Sequence, residues 1–248
     1  MHKQPITQSK FPSGRGGSNG VWIPQTGKPL RCGQRKFFCL SRPTAGKQLL
    51  HVIDQKKDRS LKPLPTPLEN SFERDVAQAG RSASDVIELS TRHNLPFWLA
   101  IGSILRGWVL SVSGESVEGI SWIEQGIKDY RAPGSTLGLP YFLGLKAEAL
   151  FAANRSSEAL EAVEDAEAVA QKCEARFWSA ELQRLRAVFL AAIGADETKI
   201  EASFQTAIRI ARKQKSVSLR KRAEATYGEY RSQKASASGG RGFRLPLC

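Results

Sequence analysis

One short segment of the chain has residues that could hold a nucleotide phosphate. Residues 41–48 read Ser-Arg-Pro-Thr-Ala-Gly-Lys-Gln. In a phosphate-binding loop, glycines let backbone N–H groups surround the phosphates, a lysine contacts them, and a following Ser or Thr binds magnesium. Here the leading glycine is missing, Gln48 stands at the magnesium position, and no convincing helix follows Lys47. The sequence therefore predicts no nucleotide site in this segment.

A second group of reactive side chains is a set of carboxylates spaced along one predicted helix. Its members are Glu158, Glu161, Glu164, Asp165 and Glu167. Catalysis by paired acids needs an enclosed cleft that moves their two pKa values apart. A charged helix face turned to solvent has the same residue pattern without a cleft. We predict a solvated helix face here rather than a catalytic pair.

The cysteines and histidines do not have the spacing of a metal site. No two cysteines form a Cys-x-x-Cys pair, and the histidines lie far apart in sequence. The chain has no run of about 18 apolar residues and no signal-peptide core after its first residue. We expect no cofactor, no metal, no membrane association, and thiols kept reduced in the cytoplasm. The residues concerned are Cys32, Cys39, Cys173, Cys248, His2, His51 and His93.

The net charge of +13 is unevenly distributed along the chain. Residues 1–65 contain 13 Lys and Arg against 2 Asp and Glu, and residues 209–248 contain 11 against 2, whereas residues 66–208 contain 13 against 20. An acidic body thus carries two basic ends, which favours interaction tails over a uniformly basic domain. Nucleic-acid binding through these ends is an alternative function, but neither interleaved aromatics nor a recognition-helix pattern accompanies the bases.

A period of forty residues in the sequence predicts the helices that would position any site. The pattern Leu, base, small, any residue, apolar, Leu occurs at residues 105–110, 145–150 and 185–190, with Gly107, Ala147 and Ala187 as the small residues. A turn residue follows each copy at Gly114, Asn154 and Gly194. Helix N-cap residue types then follow at Ser116, Ser156 and Asp196. A fixed period of this length is typical of stacked helix-pair repeats.

We therefore predict an all-α solenoid of about three and a half helix–turn–helix units, with about seven antiparallel helices in consecutive pairs. The repeat domain spans residues 68–231, its first helix running from about 68 to 93 and its last from about 218 to 231. Residues 1–67 are predicted to be a disordered basic segment because they are rich in Gly and Pro, and residues 232–248 a disordered tail.

Small residues at fixed places in the units carry a family resemblance. Gly107, Gly119 and Gly126 in the first unit correspond to alanines in the second, a spacing that resembles the tetratricopeptide repeat in its longer variety. Residues 93–100, 104–108, 181–186 and 202–212 are similar to the C-terminal repeat region of bacterial regulators that join an adenylate/guanylate cyclase or other regulatory module to an ATPase-type NTPase domain.

That resemblance covers about residues 72–231 and implies a signalling protein. The catalytic domains of that family have no counterpart here, so we expect a detached, non-catalytic piece that binds a protein or peptide partner. An adenylate/guanylate cyclase or ATPase activity, carried by the family label, is the alternative.

The first helices of a solenoid's units line the surface where extended peptides usually dock. In this register the predicted partner-binding residues are Ile101, Ile104, Trp108, Tyr141, Glu148, Glu181, Arg184 and Val188. Trp108 is the most informative, because its equivalents at the period of forty are Glu148 and Val188 and packing does not demand an indole there. We predict a partly exposed Trp108 that anchors a partner; the alternative is a core residue packed on the preceding helix.

Equivalent positions also form two further columns. The bases Arg106, Lys146 and Arg186 could grip an acidic peptide, but pairing with Glu on a neighbouring helix is favoured. An aromatic pair begins the first helix of each unit, and core packing is the favoured role for these rings. The pairs are Phe97 and Trp98, Tyr141 and Phe142, and Phe177 and Trp178.

Overall fold

The computed structural model describes residues 71–72 and 74–236. These residues are helical throughout, without a β-strand in the described part, so the predicted all-α class is confirmed. There are eight α-helices in this part rather than about seven, and a short 3₁₀ turn, Arg176–Trp178, precedes the sixth. The helices are α1 Val76–Arg92, α2 Pro96–Val112, α3 Ser116–Arg131, α4 Leu139–Ala152, α5 Ser156–Lys172, α6 Ser179–Ala192, α7 Glu197–Lys213 and α8 Val217–Ser236.

The first helix begins, and the last helix ends, at a different residue from the one expected. Ser71 and Phe72 are helical, but Arg74 lies in a left-handed turn with φ 66° and separates them from α1. The side chain of Asp75 then caps α1 by accepting from the Gln78 N–H at 2.8 Å. At the other end α8 continues through Ser236, past the expected end at residue 231. The buried ring of Tyr230 anchors this last part of the helix to the core.

Left-handed turn residues recur through the structure at a regular interval. All residues with positive φ in the described part belong to one series, in which each step is twenty residues except the last, which is twenty-one. Gly and Asn adopt this conformation at little cost and commonly end helices. The predicted turn residues Gly114, Asn154 and Gly194 are confirmed. The series is Arg74, Asn94, Gly114, Gly134, Asn154, Glu174, Gly194 and Lys215.

Two of the three predicted N-caps are wrong. Ser116 and Ser156 are the first helical residues of α3 and α5, and the capping positions are Glu115 and Arg155, neither of which makes a side-chain capping bond. The helix that follows each of these turns begins at the serine itself, so the serine lies one residue inside the helix instead of at the capping position. Only Asp196 caps as expected, because its carboxylate accepts from the Thr198 N–H at 2.8 Å.

Consecutive helices pack side by side, and α2 and α3 approach each other most closely. A Cβ added at Gly107 would lie 2.5 Å from the Gly119 carbonyl oxygen, and one added at Gly126 would lie 2.9 Å from the Ala100 carbonyl oxygen. Because the numbering rises on one helix as it falls on the other, the two helices are antiparallel. Helices α2, α4, α6 and α8 also contact one another in turn. The apolar core runs between these helices and the four others.

Candidate functional site

All eight residues of the predicted partner surface are buried, each between 0 and 2 % exposed. Ile101, Ile104 and Val188 belong to the apolar core. The expectation of a partly exposed Trp108 is wrong, since its side chain is 0 % exposed. The other four side chains, Tyr141, Glu148, Glu181 and Arg184, meet at one place where a segment of the chain itself covers them. Partner binding by these residues stays a prediction.

The cover is made by the residues that precede α1. The Arg74 guanidinium reaches Glu148 of α4 in a bidentate arrangement, Nη1 to Oε2 and Nη2 to Oε1, both at 2.5 Å. Its Nη2 also donates to Glu181 Oε1 at 3.1 Å. Arg74 therefore bridges the carboxylates of two first helices, α4 and α6. This planar, two-pronged arrangement suits a guanidinium and does not suit an ammonium group.

Glu181 is the centre of the charged network. Arg184, three residues further along α6, donates to it from Nη2 at 2.8 Å and from Nε at 3.2 Å. Arg222 of α8 donates from Nη1 at 3.2 Å. Together with Arg74, three guanidinium groups thus face one carboxylate. We call Arg74, Glu148, Glu181, Arg184 and Arg222 the arginine–glutamate cluster.

An aromatic wall encloses the cluster on the side of the covering segment. The Phe72 ring lies 4.7 Å from that of Tyr141 and 5.0 Å from that of Trp178, which are themselves 4.6 Å apart. The Tyr141 hydroxyl donates to Ser71 Oγ at 2.6 Å. The Arg74 guanidinium carbon is 5.4 Å from the Trp108 ring centroid, within the range of a cation–π contact.

Trp108 also orients the carboxylate that holds Arg74. Its Nε1–H donates to Glu148 Oε2 at 2.9 Å. These two residues occupy equivalent positions in successive units, forty residues apart, as do Tyr141 and Glu181. The period therefore brings chemically different residues to equivalent positions, and at one of these positions the side chains of Trp108 and Glu148 bond to each other instead of repeating.

Glu181 and Arg74 of the cluster, and Tyr141 beside it, have shifted pKa values. Burial alone would raise the pKa of Glu181, but Arg184, Arg74 and Arg222 hold it well below its ordinary range. Burial alone would lower the pKa of Arg74, but Glu148 and Glu181 raise it further above its ordinary value. Burial raises the pKa of the Tyr141 phenol, although Arg74 and the bond to Ser71 oppose this. Glu181 and Arg74 are therefore charged at neutral pH, with a neutral tyrosine beside them.

Sequence reasoning missed Phe72, Arg74, Arg222 and Thr226, the last of which contacts Arg184 Nη1 at 3.4 Å. One signal was available, because Glu148 is the one carboxylate in the largely apolar helix α4, where it needs a counter-ion. Nothing in the local pattern identifies Arg74 as that counter-ion, since the two lie 74 positions apart.

The basic column pairs with acids on neighbouring helices in two of its three positions. Lys146 Nζ lies 2.8 Å from Glu124, and Arg186 lies 3.0 Å from Glu167 and 3.3 Å from Glu164. Glu124 and Glu164 are themselves forty residues apart, and the corresponding position facing Arg106 is a serine. Part of the predicted acidic helix face is therefore engaged in ion pairs between helices. Burial raises the pKa of Glu167, against the effect of Arg186.

The structure also bears on the expectations for the basic C-terminal end and for the cysteines. Within the basic C-terminal end, Arg212 and Arg220 both contact Glu224, at 3.1 and 3.9 Å, and remain exposed. Arg222 belongs to the cluster and is the one of these three that is withdrawn from solvent. Cys173 is a free thiol, and among the described residues no group of three potential ligands is arranged to hold a metal ion. The phosphate-loop-like residues 41–48 and the other cysteines lie outside the described residues.

In the region that the structure describes, no helix has the length and apolar character needed to cross a membrane. Comparison with known proteins adds one relative. Over 160 residues the chain is 26% identical to an uncharacterized protein of Rhizobium meliloti (strain 1021). The match takes in 64% of this chain but 15% of the relative, so the chain spans less than a sixth of that protein's length. No family model matches the chain. No solved structure matches it either.

Proposed function

We propose that this chain is a helical-repeat module that binds a protein or peptide partner on the side chains of its first helices, α2, α4 and α6. The observation that carries the proposal is the arginine–glutamate cluster. There the first helices gather a carboxylate pair and aromatic rings around a side chain from a separate segment. Two carboxylates, an indole and a phenol form the kind of polar and aromatic site that fixes a peptide side chain.

The proposal includes a tetratricopeptide-like solenoid, supported by the period of forty residues, the turn residues every twenty and the close approach of α2 and α3 at Gly107 and Gly126. It also includes the origin of the chain as a piece of a cytoplasmic cyclase- or ATPase-type regulator. The resemblance of the repeat region supports that origin, as does a relative far longer than the matched segment.

Selection of peptides on the full chain tests the proposal. Random peptides displayed on phage are panned against the immobilised protein, and hydrogen exchange then maps the strongest binder. We expect amide protection to increase on α2, α4 and α6. If no peptide is enriched over the bare support, or if protection falls only on other helices, the proposal is wrong.

We further propose that the chain has no catalytic activity of its own. The support is in the sequence, where residues 41–48 lack the leading glycine and the magnesium-binding hydroxyl of a phosphate loop. Purified protein should turn over neither ATP nor GTP above a blank. Turnover that is abolished by Lys47→Ala would overturn this part of the proposal and favour the enzyme alternative.

A further inference from the structure

The side chains that hold Arg74 keep their positions through contacts that do not involve Arg74. The Trp108 indole N–H orients Glu148 at 2.9 Å. Arg184, on the same helix as Glu181, orients that carboxylate at 2.8 and 3.2 Å. The Trp178 and Tyr141 rings contact each other edge to face at 4.6 Å. The receiving site is therefore preorganised, which is the usual condition for selective binding.

The site recognises two side chains of the covering segment, two positions apart. The carboxylates of Glu148 and Glu181 take the Arg74 guanidinium, and the rings of Tyr141 and Trp178 take the Phe72 ring. Lysine in place of Arg74 could not make the bidentate contact, because an ammonium group has no planar pair of donors. The recognised chemistry is therefore an aromatic residue followed two positions later by an arginine.

The present occupant fills the site imperfectly. Arg74 Nε is buried and has no hydrogen-bond partner, which disfavours this arrangement because a buried donor without an acceptor costs free energy. Arg74 also adopts φ 66°, a conformation that L-residues with a side chain avoid. An arginine on another chain that contacts the same two carboxylates need not have an unpaired Nε or a positive φ. Replacement of Arg74 by such an arginine is therefore energetically possible.

We propose that Glu148 and Glu181, with Tyr141 and Trp178, form a receptor for an aromatic-x-arginine motif of a partner protein, and that Phe72 and Arg74 occupy it as an internal competitor. This inference rests on the proposed function and names its ligand. The competitor leaves the site vacant in only a fraction of the molecules, and the apparent affinity for the partner is the intrinsic affinity multiplied by that fraction. Binding and release of the segment before α1 are then coupled.

The test uses the full chain and a fluorescein-labelled peptide with the sequence of residues 69–76, which contains the motif. Fluorescence polarisation measures its dissociation constant for the wild type and for Arg74→Ala. We expect at least tenfold tighter binding to Arg74→Ala, because its site lacks the competing guanidinium. Exchange of the peptide's arginine for lysine should weaken this binding at least tenfold. Lys146→Ala, which alters a surface ion pair, is the matched control and should behave as the wild type does.

Circular dichroism of Arg74→Ala covers the case in which this variant does not fold. If helicity is lost and a saturating amount of the peptide restores it, the site takes the motif from a separate chain and the proposal holds. If helicity is lost and the peptide does not restore it, the segment is part of the fold and the proposal is wrong. A folded variant that does not bind the peptide, or that binds arginine and lysine peptides equally, also contradicts it.

The outcome can be separated from that of the proposed function. Peptides that protect α2, α4 and α6 but bind the wild type and Arg74→Ala equally would contradict only this inference. Failure of both variants to bind any selected peptide would contradict the proposed function as well.

Discussion

At the scale of single residues, three guanidinium groups face the one carboxylate of Glu181. It is 1 % exposed, and Arg74, Arg184 and Arg222 all donate to it. A buried charge that loses its partner destabilises a protein by several kcal/mol, since no water replaces the missing contact. Protonation of Glu181 is such a loss, and it connects the stability of the fold to pH.

We predict that the free energy of unfolding falls as the pH is lowered from about 5.5 to about 3, with Glu181 as one cause. The pKa of Glu181 is depressed in the folded chain, whereas an unfolded glutamate titrates near about 4.3. Its contribution is thus present above that value and is lost as the pH falls toward the folded pKa, at up to about 1.4 kcal/mol per pH unit. Urea unfolding at a series of pH values measures the slope.

Glu181→Gln should have a shallower slope than the wild type over the same pH interval, because glutamine does not titrate. Glu161→Gln removes an exposed carboxylate from α5 and serves as the matched control. Solvent screens a charge at such a place, so this variant should follow the wild type. Equal slopes for Glu181→Gln and the wild type would show that Glu181 does not contribute.

Trp108 gives a second prediction at the residue scale. The indole is fully buried and donates to Glu148, so Trp108→Ala should lower the free energy of unfolding by about 3–5 kcal/mol. Trp122, which is 37 % exposed and contacts Glu118 on its own helix, is the matched control, and Trp122→Ala should cost less than about 1 kcal/mol. Urea denaturation followed by circular dichroism compares the two. A loss of binding in Trp108→Ala without a loss of stability would instead return Trp108 to the role of an exposed anchor.

At the scale of elements, the close contact between α2 and α3 depends on glycine. A Cβ at Gly126 would lie 2.6 Å from Ile104 Cγ1 and 2.9 Å from the Ala100 carbonyl oxygen. We predict that Gly126→Ala destabilises the fold by about 1–3 kcal/mol, because the two helices have to separate. Thermal and urea unfolding measure the change.

Gly228 provides the control for this prediction, since it lies within α8 and a Cβ there would have no neighbour within 4 Å. Gly228→Ala should be neutral or stabilising by up to about 1 kcal/mol, because alanine loses less backbone entropy in a helix. If both variants change stability alike, helix propensity and not the packing of α2 on α3 decides the effect.

The elements also show how far sequence reasoning reaches. The period of forty identified Gly114, Asn154 and Gly194 as turn residues, because glycine and asparagine report a left-handed backbone directly. It could not identify Glu174 or Lys215, which adopt the same conformation without a favourable side chain. The N-caps at Ser116 and Ser156 failed because a capping residue type carries no information about a shift of one position.

The candidate site was predictable only in part, because the sequence pattern again reports local structure and not long-range contacts. Helical register placed Trp108, Tyr141, Glu148 and Glu181 on one face of the first helices, since register is a property of the local pattern. The burial of that face depends on Arg74 and Arg222, which come from opposite ends of the described part. Contacts over such separations are decided by tertiary packing, which the local pattern does not encode.

At the scale of the whole molecule, α8 completes the core rather than extending it. Its Tyr227 and Tyr230 rings lie 5.2 and 5.6 Å from Phe204 of α7, and Arg222 joins the cluster. We predict that ending the chain after Gln214 lowers the free energy of unfolding by more than about 3 kcal/mol, because a buried carboxylate loses a partner and the Phe204 ring is uncovered. Ending it after Ser236 is the matched control and should change little. Equal urea midpoints for the two truncations would contradict this role of α8.

The bond from Arg222 Nη2 to the Phe72 carbonyl oxygen, 2.8 Å long, joins residues 150 positions apart. In a stacked repeat protein each unit contacts only its neighbours, so a whole unit can be added or removed without disturbing distant ones. A duplicated block of forty residues inserted at Gly134 would keep every later turn in phase, yet it would carry Arg222 one unit away from Phe72. A chain with one unit more or fewer would therefore lose the contact between Arg222 and Phe72, and with it one of the bonds that hold the segment before α1.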